Sequence, residues 1–150
     1  MARCAEENAR LSGASDKAKV INAALSYEPV SVPCNYDMLS SRYFSTLSAS
    51  GPCKVPGVTL SDLLNMVDDP YLLKMDCEGC EAQVILGPER EKLRAFEHII
   101  VETHPEITGV SNETLLASLK ELGFECRPLG HGSKLHVSTY HCKNIRPKVT

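Results

Sequence analysis

The sequence has no large excess of charge, no long apolar run and no repeated unit, and each absence excludes a class of protein. A net charge of −3 over 150 residues provides no basic surface for nucleic acid or for an anionic membrane. No apolar stretch approaches the roughly 18 residues that a membrane span requires. The lack of repeats and low-complexity segments argues against solenoids and disordered tails. With 43% hydrophobic residues, the chain is suited to form one domain with a real core.

Two features of the sequence predict an intracellular, cytoplasmic protein. Residues 1–7 contain no apolar core of the kind found in secretory signals. The seven cysteines are odd in number and irregularly spaced, which favours reduced thiols over a disulfide framework.

Helix and strand patterns alternate along the chain and predict an α/β fold with a mainly parallel sheet. Helices are expected at residues 2–11, from a capping box at Thr59 and Asp62, at 81–86, from Pro88 through Phe96, and from an Asn112 cap to Gly123. Strands are expected at 19–25, 71–73 (buried), 98–103, 124–129 and 134–140, with residues 130–132 forming the turn of a closing antiparallel hairpin. Residues 26–58 are irregular and are interpreted as a hairpin-like excursion.

The most informative stretch is an acidic turn that follows the strand at residues 71–73. Asp76, Glu78 and Glu81 lie within six residues of one another, and Gly79 stands between the two glutamates. In open α/β sheets, ligands bind beyond the carboxyl ends of the strands. The sequence therefore predicts a functional site at this turn.

The order of these segments resembles the FkbM family of class I S-adenosylmethionine-dependent methyltransferases. The resemblance rests on Thr-Leu-Ser-Asp-Leu-Leu at 59–64, on Leu-Lys-Met-Asp-Cys-Glu-Gly-Cys-Glu at 73–81 and on Ile-Ile-Val-Glu-Thr-His at 99–104. The family has a TLDDLL helix start, a K-I-D-x-E-G-x-E turn and an l-v-E-x-h strand end. Residues 7–11 and 20–25 are similar to its E-N-x-x-L-N-G and V-x-N-A-A-L region.

This resemblance implies a Rossmann-like sheet with strand order 3-2-1-4-5-7-6 and S-adenosylmethionine as cofactor. The family's glycine-rich cofactor loop, on a strand ahead of the first helix, has no counterpart in this sequence. A gap in the sheet would leave backbone edges unpaired. We therefore expect an N-terminally truncated single domain at 1–150, a different strand pairing, or a homo-oligomer or second subunit that completes the sheet.

The resemblance also implies which residues act on a small-molecule acceptor. Asp76 and Glu102 would hold an acceptor hydroxyl or a hard cation such as Mg²⁺, and Asp76 is also expected to contact the cofactor. His104 has a suitable intrinsic pKa for a general base, although it also fits an ordinary loop histidine. Asn22 and Ala23 would face the adenine, where small residues allow close approach, or would simply end a buried strand.

Two further acidic-turn residues have competing interpretations. Glu78, like Glu81, either takes part in the site or stabilises the positive end of the following helix. Lys74 lies within the strand and is expected to pair with Asp76 or Glu102, in a structural or a catalytic role.

The function predicted from the whole sequence is O-methylation of a hydroxyl on a sugar or small metabolite. The first alternative is a non-catalytic fragment, or a subunit that binds no cofactor without its partner. The second is a zinc or redox protein built on Cys77-x-x-Cys80. Other zinc candidates exist, but they form no second Cys-x-x-Cys pair: Cys126, Cys142, His131, His136 and His141. We favour small, buried packing residues at Cys77 and Cys80.

Overall fold

The computed structural model describes residues 2–32, 51–130 and 137–146, and their architecture is α/β, as expected. The helices are α1 (Ala2–Leu11), α2 (Leu60–Leu64), α3 (Cys80–Leu86), α4 (Pro105–Thr108) and α5 (Asn112–Glu121), with a 3₁₀ helix at Arg90–Ala95. The strands are β1 (Ala24–Leu25), β2 (Val30–Val32), β3 (Cys53–Val55), β4 (Gly57–Val58), β5 (Leu72–Met75), β6 (His98–Thr103), β7 (Phe124–Pro128) and β8 (Ser138–Asn144). None of the described helices combines the length and hydrophobicity that crossing a membrane requires.

The main sheet has four strands in the order β5-β6-β8-β7. β5 and β6 are parallel, whereas β8 is antiparallel to both β6 and β7. The closing hairpin is therefore confirmed, but this sheet is mixed rather than mainly parallel. Its order corresponds to the 4-5-7-6 end of the strand order expected from the resemblance.

The remaining strands form two small, separate sheets. β1 pairs with β4 in parallel, and β2 pairs with β3 in antiparallel fashion, so the hairpin-like excursion is confirmed for the described part of residues 26–58. The strand expected at 19–25 was too long, because only Ala24–Leu25 has a pairing partner among the described residues. Gly57 is needed in this pairing, since a Cβ there would lie 2.5 Å from the Ser26 carbonyl oxygen.

The core lies on one face of the main sheet, beneath α3 and α5. Burial along β6 alternates strictly, with Ile99, Val101 and Thr103 fully buried and the intervening residues half-buried. Helices α3 and α5 supply the opposing layer, and each such apolar side chain contributes about 1.5–3 kcal/mol when removed from water. The fully buried apolar side chains of this layer are Ile85, Leu115, Leu119 and Leu122.

The strand that precedes the acidic turn lies at the edge of the sheet. β5 begins at Leu72, and among the described residues its strand partner is β6 alone. Tyr71 and Leu72 are exposed, whereas Met75 is buried. The predicted strand is therefore confirmed, at Leu72–Met75 instead of 71–73, but its burial was predicted wrongly for Tyr71 and Leu72. Leu72 faces away from the helices, and an apolar run does not reveal which sheet face is covered.

The helix ends follow local capping chemistry. The Thr59 hydroxyl accepts a hydrogen bond from the Asp62 N–H, and the Asp62 carboxylate accepts one from the Thr59 N–H, which confirms the capping box. The cap of α5 is Ser111 rather than Asn112, because the Ser111 hydroxyl accepts from the Thr114 N–H. The segment after Pro88 forms a 3₁₀ helix at Arg90–Ala95 rather than an α-helix.

The expectation of reduced thiols was wrong for most of the described cysteines. Disulfides join Cys77 to Cys80 and Cys126 to Cys142, Cys53 is also disulfide-bonded, and Cys4 is free and exposed. Zinc binds thiolates, so sulfurs bonded to each other form no zinc site here. A redox role for the Cys77–Cys80 pair stays a prediction.

Some expectations lie outside the described residues. These are the turn after Gly130, the first part of the strand expected at 134–140, and residues 33–50 of the excursion. The described part of that last strand begins at Ser138 and runs to Asn144.

Candidate functional site

The site begins at the turn between β5 and α3. Glu78 has a φ of 52° and Gly79 a φ of 118°, so two consecutive residues adopt left-handed conformations. Such a conformation costs a non-glycine residue on the order of 1 kcal/mol. The Cys77–Cys80 disulfide spans both residues and restrains the turn.

Glu81, in the first turn of α3, connects this turn to the end of β6. Its side chain is 0% exposed. One oxygen, Oε2, accepts a hydrogen bond from the Gly79 N–H at 2.9 Å. The other, Oε1, accepts from the main-chain N–H of His104 at 2.9 Å and lies 3.0 Å from His104 Nδ1. A carboxylate oxygen can accept a hydrogen bond from an imidazole N–H, so Oε1 is placed to bind Nδ1–H as well as the main-chain N–H.

His104 therefore directs Nε2 toward a group of carboxylates. The residue is only 5% exposed, and Nε2 lies 3.5 Å from Glu102 Oε1 and 3.6 Å from Glu78 Oε2. One ligand atom each from Asp76, Glu102 and His104 lie within 4.8 Å of one another. We call these four residues, Asp76, Glu78, Glu102 and His104, the acidic cup.

Strand and helix ends position three of the four cup residues, and Glu78 lies in the turn between β5 and α3. Asp76 follows β5, Glu102 is the penultimate residue of β6, and His104 is the residue before Pro105, which begins α4. Because β5 and β6 are parallel, their carboxyl ends meet at one edge of the sheet. Asp76, Glu78 and Glu102 are each about one-third to two-fifths exposed, so a ligand can reach their oxygens from solvent.

Lys74 contacts the cup through Asp76. Its Nζ lies 2.9 Å from Asp76 Oδ2, and its side chain is 62% exposed. The expected pairing with Asp76 is present. An exposed pair of this kind is worth at most about 1 kcal/mol, so it adjusts the position and charge of Asp76 more than it stabilises the fold.

Asn22 and Ala23 lie outside the main sheet that carries the acidic cup. They precede β1, which pairs with β4 and not with the main sheet. Asn22 is exposed and Ala23 is half-buried. The structure brings Asp76, Glu78, Glu102 and His104 together, but it does not join Asn22 and Ala23 to them through a shared sheet.

A model of the methyltransferase FkbM domain matches residues 4–126 of the chain. The chain belongs to the FkbM methyltransferase family. The matched segment covers most of the chain and includes every residue of the acidic cup. Comparisons with curated proteins and with solved structures gave no match.

One residue of this FkbM domain was underestimated from sequence. The sequence indicates only that Glu81 stabilises the start of a helix or belongs to the acidic turn, whereas in the structure it holds His104 in place. The available signal was its position as the final glutamate of the E-G-x-E turn. A glutamate placed early in a helix beside an acidic turn looks the same in sequence whether or not it is buried.

Proposed function

We propose that this FkbM domain catalyses S-adenosylmethionine-dependent methylation of a hydroxyl oxygen on a sugar or other small metabolite. The observation that carries the proposal is the buried Glu81–His104 pair, which directs Nε2 toward Asp76, Glu78 and Glu102. The proposed architecture is one end of a Rossmann-like class I sheet, in keeping with the order β5-β6-β8-β7.

Methylation of a hydroxyl requires that the oxygen lose its proton, because a neutral hydroxyl is a weak nucleophile. Bound S-adenosylmethionine supplies an electrophilic methyl group. Asp76 and Glu102 accept hydrogen bonds from the acceptor and orient it. His104 reaches the acceptor through Nε2 alone, since Nδ1 is held by Glu81. An imidazole fixed in this way either takes the proton itself or binds a cation that promotes its loss.

The described residues fit only part of the cofactor. The exposed amide of Asn22 and the small side chain of Ala23 are of the kind that suits the adenine, and we propose that Asp76 contacts the cofactor. No described strand ends in a glycine-rich loop for the methionine part. We propose that a completing subunit contributes that part, because a second copy of this sequence would bring no glycine-rich loop either. A domain without such a partner would be the non-catalytic alternative.

Calorimetric titration of S-adenosylhomocysteine into the folded chain tests the first step. Micromolar binding supports a cofactor site, whereas no binding to a protein with a folded circular dichroism spectrum favours the non-catalytic alternative for this chain alone. Light scattering with and without the ligand measures the oligomeric state and tests whether the chain also forms a homo-oligomer.

Turnover is then measured with a panel of sugars and small hydroxyl compounds. Asp76→Asn should abolish methyl transfer without unfolding the protein, because Asp76 is partly exposed. Asp68→Asn is the matched control, since Asp68 is exposed and lies outside the cup. Full activity of Asp76→Asn would refute the assigned role.

The compartment also belongs to this proposal. The cytoplasmic location predicted from sequence rested on the lack of an apolar signal core at residues 1–7 and on the expectation of reduced thiols. The Cys77–Cys80 and Cys126–Cys142 disulfides support an oxidising compartment instead, and we propose that the domain works there.

A further inference from the structure

We infer that Asp76, Glu102 and His104 bind a divalent cation in the acidic cup, and that Mn²⁺ is the ion that suits them best. The inference deepens the proposed function, because the cation would occupy the place where the acceptor hydroxyl is activated. It rests on geometry and donor chemistry, and it is testable without cofactor or acceptor.

The spacing of the donors matches a common ion. Ligands of a six-coordinate ion at about 2.1 Å lie about 3 Å apart when adjacent and about 4 Å apart when opposite. The ligand atoms of Asp76, Glu102 and His104 all lie within 4.8 Å of one another. Small rotations of the two half-exposed carboxylates would bring the three donors onto one ion.

His104 provides the second, independent observation. The imidazole is 95% buried, and Glu81 fixes its orientation through Nδ1 at 3.0 Å. Among the described residues, Nε2 has no hydrogen bond, and its nearest carboxylate oxygens are 3.5 and 3.6 Å away. A histidine that donates its other ring N–H to a carboxylate is the usual arrangement of a metal-ligating histidine.

The donor set selects the kind of ion. Two carboxylates supply hard oxygen donors and two negative charges, which suit Mg²⁺, Ca²⁺ and Mn²⁺. The imidazole nitrogen favours a first-row transition metal over Mg²⁺ and Ca²⁺, and Mn²⁺ is the transition metal that also suits carboxylate ligands. Three protein ligands leave open positions for water and for an acceptor oxygen.

The cup also contains a fourth residue, Glu78, outside this ligand set. Glu78 Oε2 lies 3.6 Å from His104 Nε2, at the margin of the three ligands.

Titration of the full chain with MnCl₂, followed by the loss of the six-line electron paramagnetic resonance signal of free Mn²⁺, tests the site. We expect one ion per chain. Glu102→Gln should weaken binding by at least about tenfold. Glu125→Gln is the matched control, because Glu125 is exposed on β7 at the opposite end of the sheet, and it should bind like the wild type.

The ligand set has its own readout. Electron spin-echo modulation from a ¹⁴N nucleus should accompany bound Mn²⁺ and should be absent in His104→Gln, with circular dichroism reporting whether that variant folds. Absence of Mn²⁺ binding to the folded wild type, equal binding by Glu102→Gln, or binding without ¹⁴N coupling would each overturn the inference. The Mn²⁺ titration contains no cofactor, so its failure would not decide whether the chain binds S-adenosylhomocysteine. The calorimetric titration tests that binding, and with it the proposed function, separately.

Discussion

Glu81 Oε1 accepts a hydrogen bond from the main-chain N–H of His104 at 2.9 Å and lies 3.0 Å from the ring Nδ1 of the same residue. One carboxylate therefore connects the start of α3 to the residue that follows β6. The partners are 23 positions apart in sequence, and both are buried. The reactive side of His104 is thus positioned from within the core, whereas the carboxylates of the cup meet solvent.

Replacing Glu81 by Gln should destabilise the protein by about 1–3 kcal/mol. Glutamine has one acceptor oxygen where glutamate has two, so either the Gly79 N–H or the His104 groups lose a partner in a buried place. Urea unfolding followed by circular dichroism measures the change.

Glu91→Gln is the control for this loss. Glu91 pairs with Arg94 at 2.6 Å, but its side chain is 61% exposed, and exposed pairs contribute about 0–1 kcal/mol. If the two variants lost the same free energy of unfolding, the buried Glu81–His104 contact would contribute no more to stability than an exposed ion pair.

Local patterns predicted the elements that local chemistry determines. The capping box at Thr59 and Asp62 identified the start of α2, and the apolar run in β6 identified that strand with its observed limits. The exposure of Leu72 was not predicted, because it depends on which face of the sheet the helices cover. Likewise, the burial of Glu81 could not be predicted from sequence alone, because its partner His104 follows a different strand.

The cysteines illustrate the same limit. An odd number of irregularly spaced thiols indicated a reduced protein, but pairing is decided by strand register. Cys126 lies directly opposite Cys142 in the β7–β8 pair. That register follows from the sheet as a whole, and residue spacing does not report it. The site residues at the ends of β5 and β6 were predictable because parallel strands end at one edge.

Removing the Cys126–Cys142 disulfide should lower the free energy of unfolding by about 3 kcal/mol, the value for a loop of about 15 residues. The bond joins residues separated by 16 positions and thereby restricts the unfolded chain. The double variant Cys126→Ala/Cys142→Ala is compared with the wild type by urea unfolding without reductant.

Cys4→Ala serves as the control, because Cys4 is free and exposed and its loss should leave stability unchanged. Alkylation of the native, unreduced protein should label Cys4 but not Cys126 or Cys142. Labelling of Cys126 and Cys142 under those conditions would contradict the pairing.

Stability should fall as the pH is lowered below about 6.5, in part because of His141. Burial lowers the pKa of His141, and the positive charges of Arg127, His98 and Lys143 lower it further. Below pH 6.5, His141 therefore binds a proton in the unfolded chain but stays neutral in the folded protein. The resulting loss of stability grows until the pH reaches the lowered pKa and is absent above the unfolded value.

His141→Gln should reduce this dependence, as measured by urea unfolding between pH 5 and 8, because glutamine does not titrate. The ring of His98 lies against His141, with Nδ1 and Nε2 3.0 Å apart, and Glu125 borders the same group. The same measurement on His98→Gln therefore distinguishes the contributions of the two histidines to the pH dependence. An unchanged pH slope in His141→Gln would exclude His141 as a source of the effect.

Lys74→Met should tighten Mn²⁺ binding by up to about fivefold, the factor that corresponds to ~1 kcal/mol for an exposed ion pair. Lys74 Nζ lies 2.9 Å from Asp76 Oδ2. The ammonium group therefore competes with a bound cation for the same carboxylate. Because both side chains are partly exposed, the gain should shrink as salt is added. Lys92→Met, which removes an exposed lysine from the 3₁₀ helix, controls for net charge. Weaker binding by Lys74→Met would mean instead that Lys74 holds Asp76 in its ligand position, and the competition argument would fail.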